Sequence, residues 1–198
     1  RSISSSTSSG TSSTDARGWT WRHKTSLRVG PGSTLDVYLH PGPGFRLCEP
    51  DRDLLMIGPG TGVAPFRAFL EERSVQRGKG RSWLFFGARN RATDYFYEED
   101  FQRFLADGTL SRLDLAFSRD QVEKVYVQHL LRAAALEVAA WIHGGAHVYV
   151  CGDAKRMAPD VHAALRDILA SSEEKPVEEA EADLKRMTDE GRYLRDVY

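Results

Sequence analysis

The chain has 198 residues, 41% of them hydrophobic and 28% charged, with a formal net charge of -1. That length and balance fit a globular protein with one ordinary core, and the near-neutral charge gives no footing for nucleic acid or an anionic membrane. No apolar run reaches transmembrane length, the N-terminus lacks an apolar signal core, and Cys48 and Cys151 lie far apart; a reducing, cytoplasmic setting is therefore expected.

Residues 2–14 are almost all Ser, Thr and Gly, too polar to order themselves, and read as a flexible linker or loop remnant. Trp19 and Trp21 interrupt that polarity. Residues 34–39 alternate as a half-buried strand, and His40-Pro41-Gly42-Pro43-Gly44 reads as a turn-rich connector. From residue 54 onward strands are expected at 54–57, 82–87, 112–117, 146–151 and 192–198. Helices are expected at 63–76, 95–106, 126–142 with a break, 155–170 and 182–190. The acidic stretch 173–181 reads as a solvated loop and helix start. Apolar runs alternating with amphipathic segments predict an α/β fold: a doubly wound, mainly parallel five-stranded sheet with helices on both faces.

The first strand runs into Gly58-Pro59-Gly60-Thr61-Gly62 and then a helix. Glycine lacks the Cβ that would block backbone approach to a phosphate, and a helix start offers N–H groups and a positive dipole end. Pro65 suits a first helical turn. The spacing is not the GxGxxG fingerprint, and a tight turn without a ligand is the bland alternative.

Ligands of such sheets lie beyond the strands' carboxyl ends. After 112–117 come Ser118 and Arg119, then Lys124-Val125-Tyr126-Val127-Gln128. A hydroxyl, a guanidinium fork and an ammonium suit a phosphate monoester. Tyr126 could stack on a purine, and Gln128 could take a phosphate or a base edge. A 2′-phosphate here means NADP(H) and not NAD(H); the bland alternative is a solvated charged loop. Cys151 closes the strand at 146–151 and is followed by Gly152. It reads as packing or as the neighbour of a flat ring, not as a nucleophile, since no general base is near it in sequence. The six histidines are scattered, and Gly144-Gly145 separates His143 from His147, so no metal site is expected. Trp83-Leu84-Phe85-Phe86 reads as core strand, and Tyr95-Phe96-Tyr97, Phe101 and Phe104 as helix packing.

Taken together, the stretches GPGTGVAPFRAF at 58–69, WLFFGAR at 83–89, SRD at 118–120, KVYVQ at 124–128, HVYVCGDAKRMAPDV at 147–161 and RYLRDVY at 192–198 resemble the NADPH-binding half of the diflavin reductase family. Within it, the chain is most similar to the flavoprotein subunits of NADPH-dependent sulfite reductases. The resemblance covers about residues 35–198. It implies a ferredoxin–NADP reductase-like nucleotide domain at 54–198, the last strand of an FAD-binding barrel and a connector at 34–53, and a linker or barrel remnant at 1–33. It implies that Gly58, Gly60, Thr61 and Gly62 hold the pyrophosphate and nicotinamide half. Ser118, Arg119, Lys124, Val125, Tyr126, Val127 and Gln128 would hold the 2′-phosphate and adenine. Arg46 would add a phosphate contact, and Asp160 a further NADP contact. Cys151 and Asp196 would flank the hydride-transfer point, and Tyr198 would cover the FAD ring.

The same resemblance implies hydride transfer from NADPH to FAD and electron flow through FMN, held in an upstream domain, to a haem or iron–sulfur partner protein. The sequence departs from the family at Cys48, where Pro is usual, and lacks the Arg-x-Tyr-Ser flavin motif and a clear match to the flavin loop. A fragment or the tail of a longer polypeptide is therefore expected. A single-flavin ferredoxin–NADP reductase and a non-catalytic NADP-binding module stand as alternatives.

Overall fold

The computed structural model describes residues 44–76 and 78–198, together with the backbone of 13–14, 19–21 and 40–41. Strands β1 (Ser13–Thr14), β2 (Trp19–Trp21) and β3 (His40–Pro41) form a small antiparallel sheet with β2 in the middle. His40 and Pro41, expected as part of a turn, pair instead with Thr20 and Trp19. The strand expected at 34–39 lies outside the described residues.

A second sheet contains β4 (Leu54–Ile57), β5 (Ser82–Ala88), β6 (Arg112–Phe117), β7 (His147–Gly152) and β8 (Tyr193–Val197). Its order is β6-β5-β4-β7-β8 and every pairing is parallel. The helices are α1 (Ala64–Gln76), α2 (Arg91–Asp94), α3 (Glu98–Ala106), α4 (Val127–Ala133), α5 (Ala135–His143), α6 (Met157–Ser172) and α7 (Val177–Asp189).

Side chains alternate across each strand, and both faces are apolar because helices cover both. Leu55, Ile57, Trp83, Phe85, Val148 and Val150 meet Leu131 of α4, Val138 and Ile142 of α5, and Val161 and Leu165 of α6. Leu54, Met56, Leu84, Phe86, Tyr149 and Cys151 meet Phe66, Phe69 and Leu70 of α1, and Phe101 and Phe104 of α3. The expected break inside 126–142 falls at Ala134, whose ψ of 24° ends α4 before α5 begins.

One helix start differs from expectation. Tyr95-Phe96-Tyr97 precedes α3 because Tyr97 takes a left-handed φ of 62°. Helix α3 then begins on Glu98, Glu99 and Asp100, whose charges suit the positive end of its dipole. Helix α7 begins at Val177, directly after Pro176 and with Glu178 and Glu179 in its first turn. The helix start expected within 173–181 thus falls at Val177, after a proline that cannot join the preceding turn.

At the amino ends of β4 and β5 the buried guanidinium of Arg73 donates to Gly80 O (3.1 Å), Arg81 O (3.2 Å) and Arg52 O. It also reaches Cys48 Sγ at 3.5 Å, so the residue at this departure from the family pattern helps anchor the connector. The carboxyl ends of the strands lie at the opposite side, free of such an anchor.

Candidate functional site

From β4 the chain fills β5 and β6 on one side, then returns to place β7 and β8 on the other. The point of reversal lies between β4 and β7, where open α/β sheets leave a crevice. A cleft of about 740 Å³ occupies this end of the molecule. Its walls come from four connections: Pro59, Gly60 and Thr61 after β4; Gly87, Ala88 and Arg89 at the end of β5; Ser118, Arg119 and Lys124 to Gln128 after β6; and Asp153, Arg156, Met157 and Asp160 after β7.

The glycines of the first connection do different work. Gly60 has φ +57° and nothing within 4 Å of the position a Cβ would take, so bare backbone faces open space. At Gly62 a Cβ would stand 2.1 Å from Cys151 O, and at Gly58 it would stand 2.5 Å from the Phe66 ring. These two glycines let the loop pack against β7 and α1. A short 3-10 turn, Gly60–Val63, carries the chain into α1.

The far wall is positioned through backbone. Ser118 N–H donates to Ala88 O (2.9 Å), and Arg119 N–H donates to Arg89 O (2.8 Å), extending the β5–β6 ladder past the strands. The Asp120 carboxylate accepts from Asn90 Nδ2 (3.1 Å) and Arg91 N–H (2.8 Å), which ties the segment to the start of α2. Ser118 Oγ donates to Ala88 O at 3.3 Å. Tyr126 is 42% exposed and tilts against His129 with ring centroids 5.7 Å apart.

Four cations line the cleft: Arg89, Arg119, Lys124 and Arg156. None of them forms an ion pair among the described residues. The cleft's carboxylates have local partners. Asp94 accepts the Asn90 N–H (3.0 Å). Asp153 accepts the N–H groups of Arg156 (2.8 Å) and Met157 (3.3 Å), and those backbone hydrogen bonds hold its carboxyl below the ordinary value. Asp160 accepts from Gln128 Nε2 at 3.1 Å. Such a set favours an anionic ligand.

Beside the cleft, next to Thr61, lie the carboxyl ends of β7 and β8. Cys151 and Asp196 are register partners, and Cys151 is 1% exposed. Burial pushes its thiol well above the ordinary range, and the negative charge of Asp196 adds to that, so the sulfur keeps its proton at neutral pH. Tyr198 is half-exposed; its Oη shares a 2.7 Å hydrogen bond with Thr61 Oγ1, and its N–H donates to Gly152 O at 3.1 Å. Burial pushes the Tyr198 phenol up as well, with the Thr61 hydrogen bond opposing.

Gly60, Thr61, Ser118, Arg119, Lys124, Val125, Tyr126, Val127, Gln128 and Asp160 thus meet in one cleft, while Cys151, Asp196 and Tyr198 gather beside Thr61. Arg46 does not line it: that residue is exposed, and its carbonyl accepts from Tyr149 Oη (2.6 Å) on the α1 face. Arg89 and Arg156 are the cleft cations that sequence reasoning missed. Each directly follows a strand's carboxyl end or opens the helix beyond it, so the rule that picked Arg119 could have found them. Among the described residues no group of three His, Cys, Asp or Glu could hold a metal ion, and no helix is long and apolar enough to cross a membrane.

The family model for the oxidoreductase NAD-binding domain matches residues 56–163, which run from β4 into α6. The chain belongs to this family. Its curated relatives include the flavoprotein alpha-component of NADPH sulfite reductase from Bacillus subtilis (strain 168), 46% identical over 172 residues, 86% of this chain and 28% of that protein. The same component from Shewanella oneidensis is 47% identical over 168 residues, 84% of this chain and 28% of that protein. That from Escherichia coli (strain K12) is 46% identical over 172 residues, 86% of this chain and 29% of that protein. The chain therefore spans less than a third of the length of these relatives. The resemblance to the diflavin reductases and to their sulfite reductase members is borne out, as is the nucleotide-binding α/β fold.

Proposed function

We propose that residues 54–198 bind NADP(H) as the nucleotide domain of a flavin-dependent reductase. Residues 34–53 would carry the last strand of a flavin-binding barrel and its connector, and residues 1–33 a linker or barrel remnant. The observation that carries the reading is a cationic cleft with a second, chemically distinct group of residues beside its Thr61 end. Cations and an exposed tyrosine ring lie at the β6 end; beside the other end a buried protonated thiol, a carboxylate and a second tyrosine lie on β7, β8 and the residue after it. In the order β6-β5-β4-β7 these ends are three strand spacings apart, roughly 14 Å, a span that suits a dinucleotide.

In this reading Ser118, Arg119 and Lys124 take the 2′-phosphate, and Tyr126 stacks on adenine. Gly60 and Thr61 sit under the pyrophosphate, with Arg89 and Arg156 on either side. Cys151 and Asp196 orient the nicotinamide, and the Asp196 carboxylate stabilises positive charge that grows on the ring as hydride leaves. Tyr198 is the residue placed to meet the isoalloxazine of FAD, since its ring is half-exposed at this end and tethered by Thr61. When bound, NADPH supplies the hydride, FAD takes it up, and FMN passes single electrons on. A haem or iron–sulfur protein is the proposed acceptor; the relatives' names, which read sulfite reductase flavoprotein alpha-component, support a sulfite reductase partner but do not name its prosthetic group. The two unpaired cysteines support a reducing, cytoplasmic setting.

Calorimetric titration with NADP⁺, NAD⁺ and 2′,5′-ADP tests the reading. NADP⁺ and 2′,5′-ADP are expected to bind at least ~10-fold more tightly than NAD⁺, with affinity falling as salt screens the exposed cations. Arg119→Ala and Lys124→Ala should each close most of that gap. Equal binding of NAD⁺ and NADP⁺ would overturn the 2′-phosphate assignment.

A further inference from the structure

The amino ends of β4, β7 and β8 lie at the opposite end of the sheet from the cleft, and their charges play no part in the NADP(H) reading. His147 opens β7, and its N–H donates to Asp53 O at 2.9 Å; the next N–H, of Val148, donates to Arg192 O at 2.7 Å. Residues 52–53, His147 and Arg192 therefore stand side by side. The His147 ring stacks on Tyr149, with centroids 6.5 Å apart and planes 23° from parallel, and Tyr149 packs on the α1 face. Side chains alternate along a strand. Leu194 belongs to the α1 face and Tyr193 to the other, so Arg192 falls on the α1 face with His147. Arg73 of α1 holds the carbonyl oxygen of Arg52, which brings a second guanidinium to this place. The side chain of Arg52 is exposed and forms no ion pair among the described residues.

His147 Nδ1 and Arg192 Nε are both buried and make no hydrogen bond; Nε of Arg73, in the guanidinium behind them, lacks one as well. Glu190 Oε2 stands 3.6 Å from Arg192 Nε, too far for a hydrogen bond. Burial holds the pKa of the imidazole below its ordinary value, and the charges of Arg192, Arg52 and Arg73 push the same way with no carboxylate opposing them. The acids of the connector are engaged elsewhere or exposed. Asp53 pairs with Arg81 at 2.6 Å, Asp51 accepts the Lys79 N–H at 2.9 Å, and Glu49 is exposed. Buried polar atoms without partners are costly, so a small group that accepts from both nitrogens is favoured here. Water can accept, but among three guanidinium groups an oxyanion accepts more strongly and offsets their charge.

We propose that His147, Arg192 and Arg52 form a second anion site, at the amino ends of the strands, for a small tetrahedral oxyanion of the phosphate or sulfate class. His147 and Arg192 donate to it from the buried side, and Arg52 closes on it from solvent. Arg73 adds charge from behind, its other nitrogens being spent on the carbonyls of Arg52, Gly80 and Arg81. A bound oxyanion clamps the connector at Arg52 to β7 and β8. The site is separate from the NADP(H) cleft and does not depend on that reading.

The test is titration of the full chain with inorganic phosphate at constant ionic strength, followed through the imidazole nuclear magnetic resonances of His147, assigned by their loss in His147→Gln. They should shift in a saturable way, with a roughly millimolar Kd, and the protonation midpoint of His147 should rise as the anion offsets the surrounding positive charge. Sulfate should act like phosphate, and chloride should not. Arg192→Gln should weaken phosphate by at least ~10-fold. Arg52→Gln, at an exposed side chain that the fold does not need, should weaken it several-fold, and its test stands even if Arg192→Gln fails to fold. Arg119→Ala, in the cleft, should leave the His147 response unchanged. A response that is linear in concentration, or equal with chloride, would mean screening by counterions only and would overturn the site. So would native affinity in Arg52→Gln, or His147 resonances that do not move, which would leave water as the group between the two nitrogens.

Discussion

Three glycines at alternate positions are easy to see in the stretch 58–62, but their faces are not. The space around each backbone atom separates them: Gly60 borders open space, while Gly62 would place a Cβ 2.1 Å from the Cys151 carbonyl oxygen. Backbone of β7 cannot swing aside as a flexible side chain could. Gly62→Ala should therefore cost about 1–3 kcal/mol of stability and lower NADP⁺ affinity, because the loop must lift from β7. Gly60→Ala meets no atom and suffers only from its positive φ, about 1 kcal/mol; its larger effect should be on the nucleotide. Urea denaturation and titration of the two variants check this. A Gly62→Ala chain as stable as the native one would show that the loop does not rest on β7. At the same scale, Arg119 and Lys124 were legible because they follow a strand. The Gln128–Asp160 bond was not, since 32 residues separate its partners and no local pattern links them.

Elements were more legible than side-chain partnerships. The three inner strands β4, β5 and β7 announce themselves as apolar runs, because helices cover both of their faces, whereas the edge strands β6 and β8 carry Arg112, Asp114, Arg195 and Asp196. Helix starts were less clear. Tyr97 departs from the helical pattern through a backbone angle of +62° that tyrosine rarely adopts and its sequence does not signal, whereas Pro176 before α7 was a readable signal. The start of α6 carries a further consequence. Asp153 holds the N–H groups of Arg156 and Met157, and these hydrogen bonds lower its pKa in the folded protein. A carboxyl whose folded pKa lies below its unfolded one contributes fully above the unfolded value, about 3.9, and loses that contribution as pH falls through the folded value. Between neutrality and about pH 5 the turn should hold. Below pH 4 the amides of Arg156 and Met157 should lose hydrogen-exchange protection before the core of α6 does. Asp153→Asn, which keeps an acceptor but cannot titrate, should show no such step. Simultaneous loss along the whole helix in the native chain would mean that Asp153 is not what holds its start.

At the scale of the whole molecule, the cleft is assembled from four connections that meet only when the sheet is formed. A ligand that touches all of them binds the folded state and not the unfolded chain. It must therefore raise stability by RT ln(1 + [L]/Kd), about 2.7 kcal/mol at a hundredfold excess over Kd. For a chain of this size that corresponds to roughly 5–10 °C in Tm. NAD⁺ at the same concentration reaches a smaller multiple of its own Kd, since it lacks the phosphate that Arg119 and Lys124 would hold, and should shift Tm by only a degree or two. Raising salt should shrink the NADP⁺ shift more than the NAD⁺ shift, because the cations it engages are exposed and screened. The comparison of the two dinucleotides under two salt conditions separates specific from general effects. A general stabilisation by polyanions would appear with inorganic pyrophosphate as well. Equal shifts for NADP⁺, NAD⁺ and pyrophosphate would mean that the cations of the cleft attract charge without recognising the nucleotide that carries it.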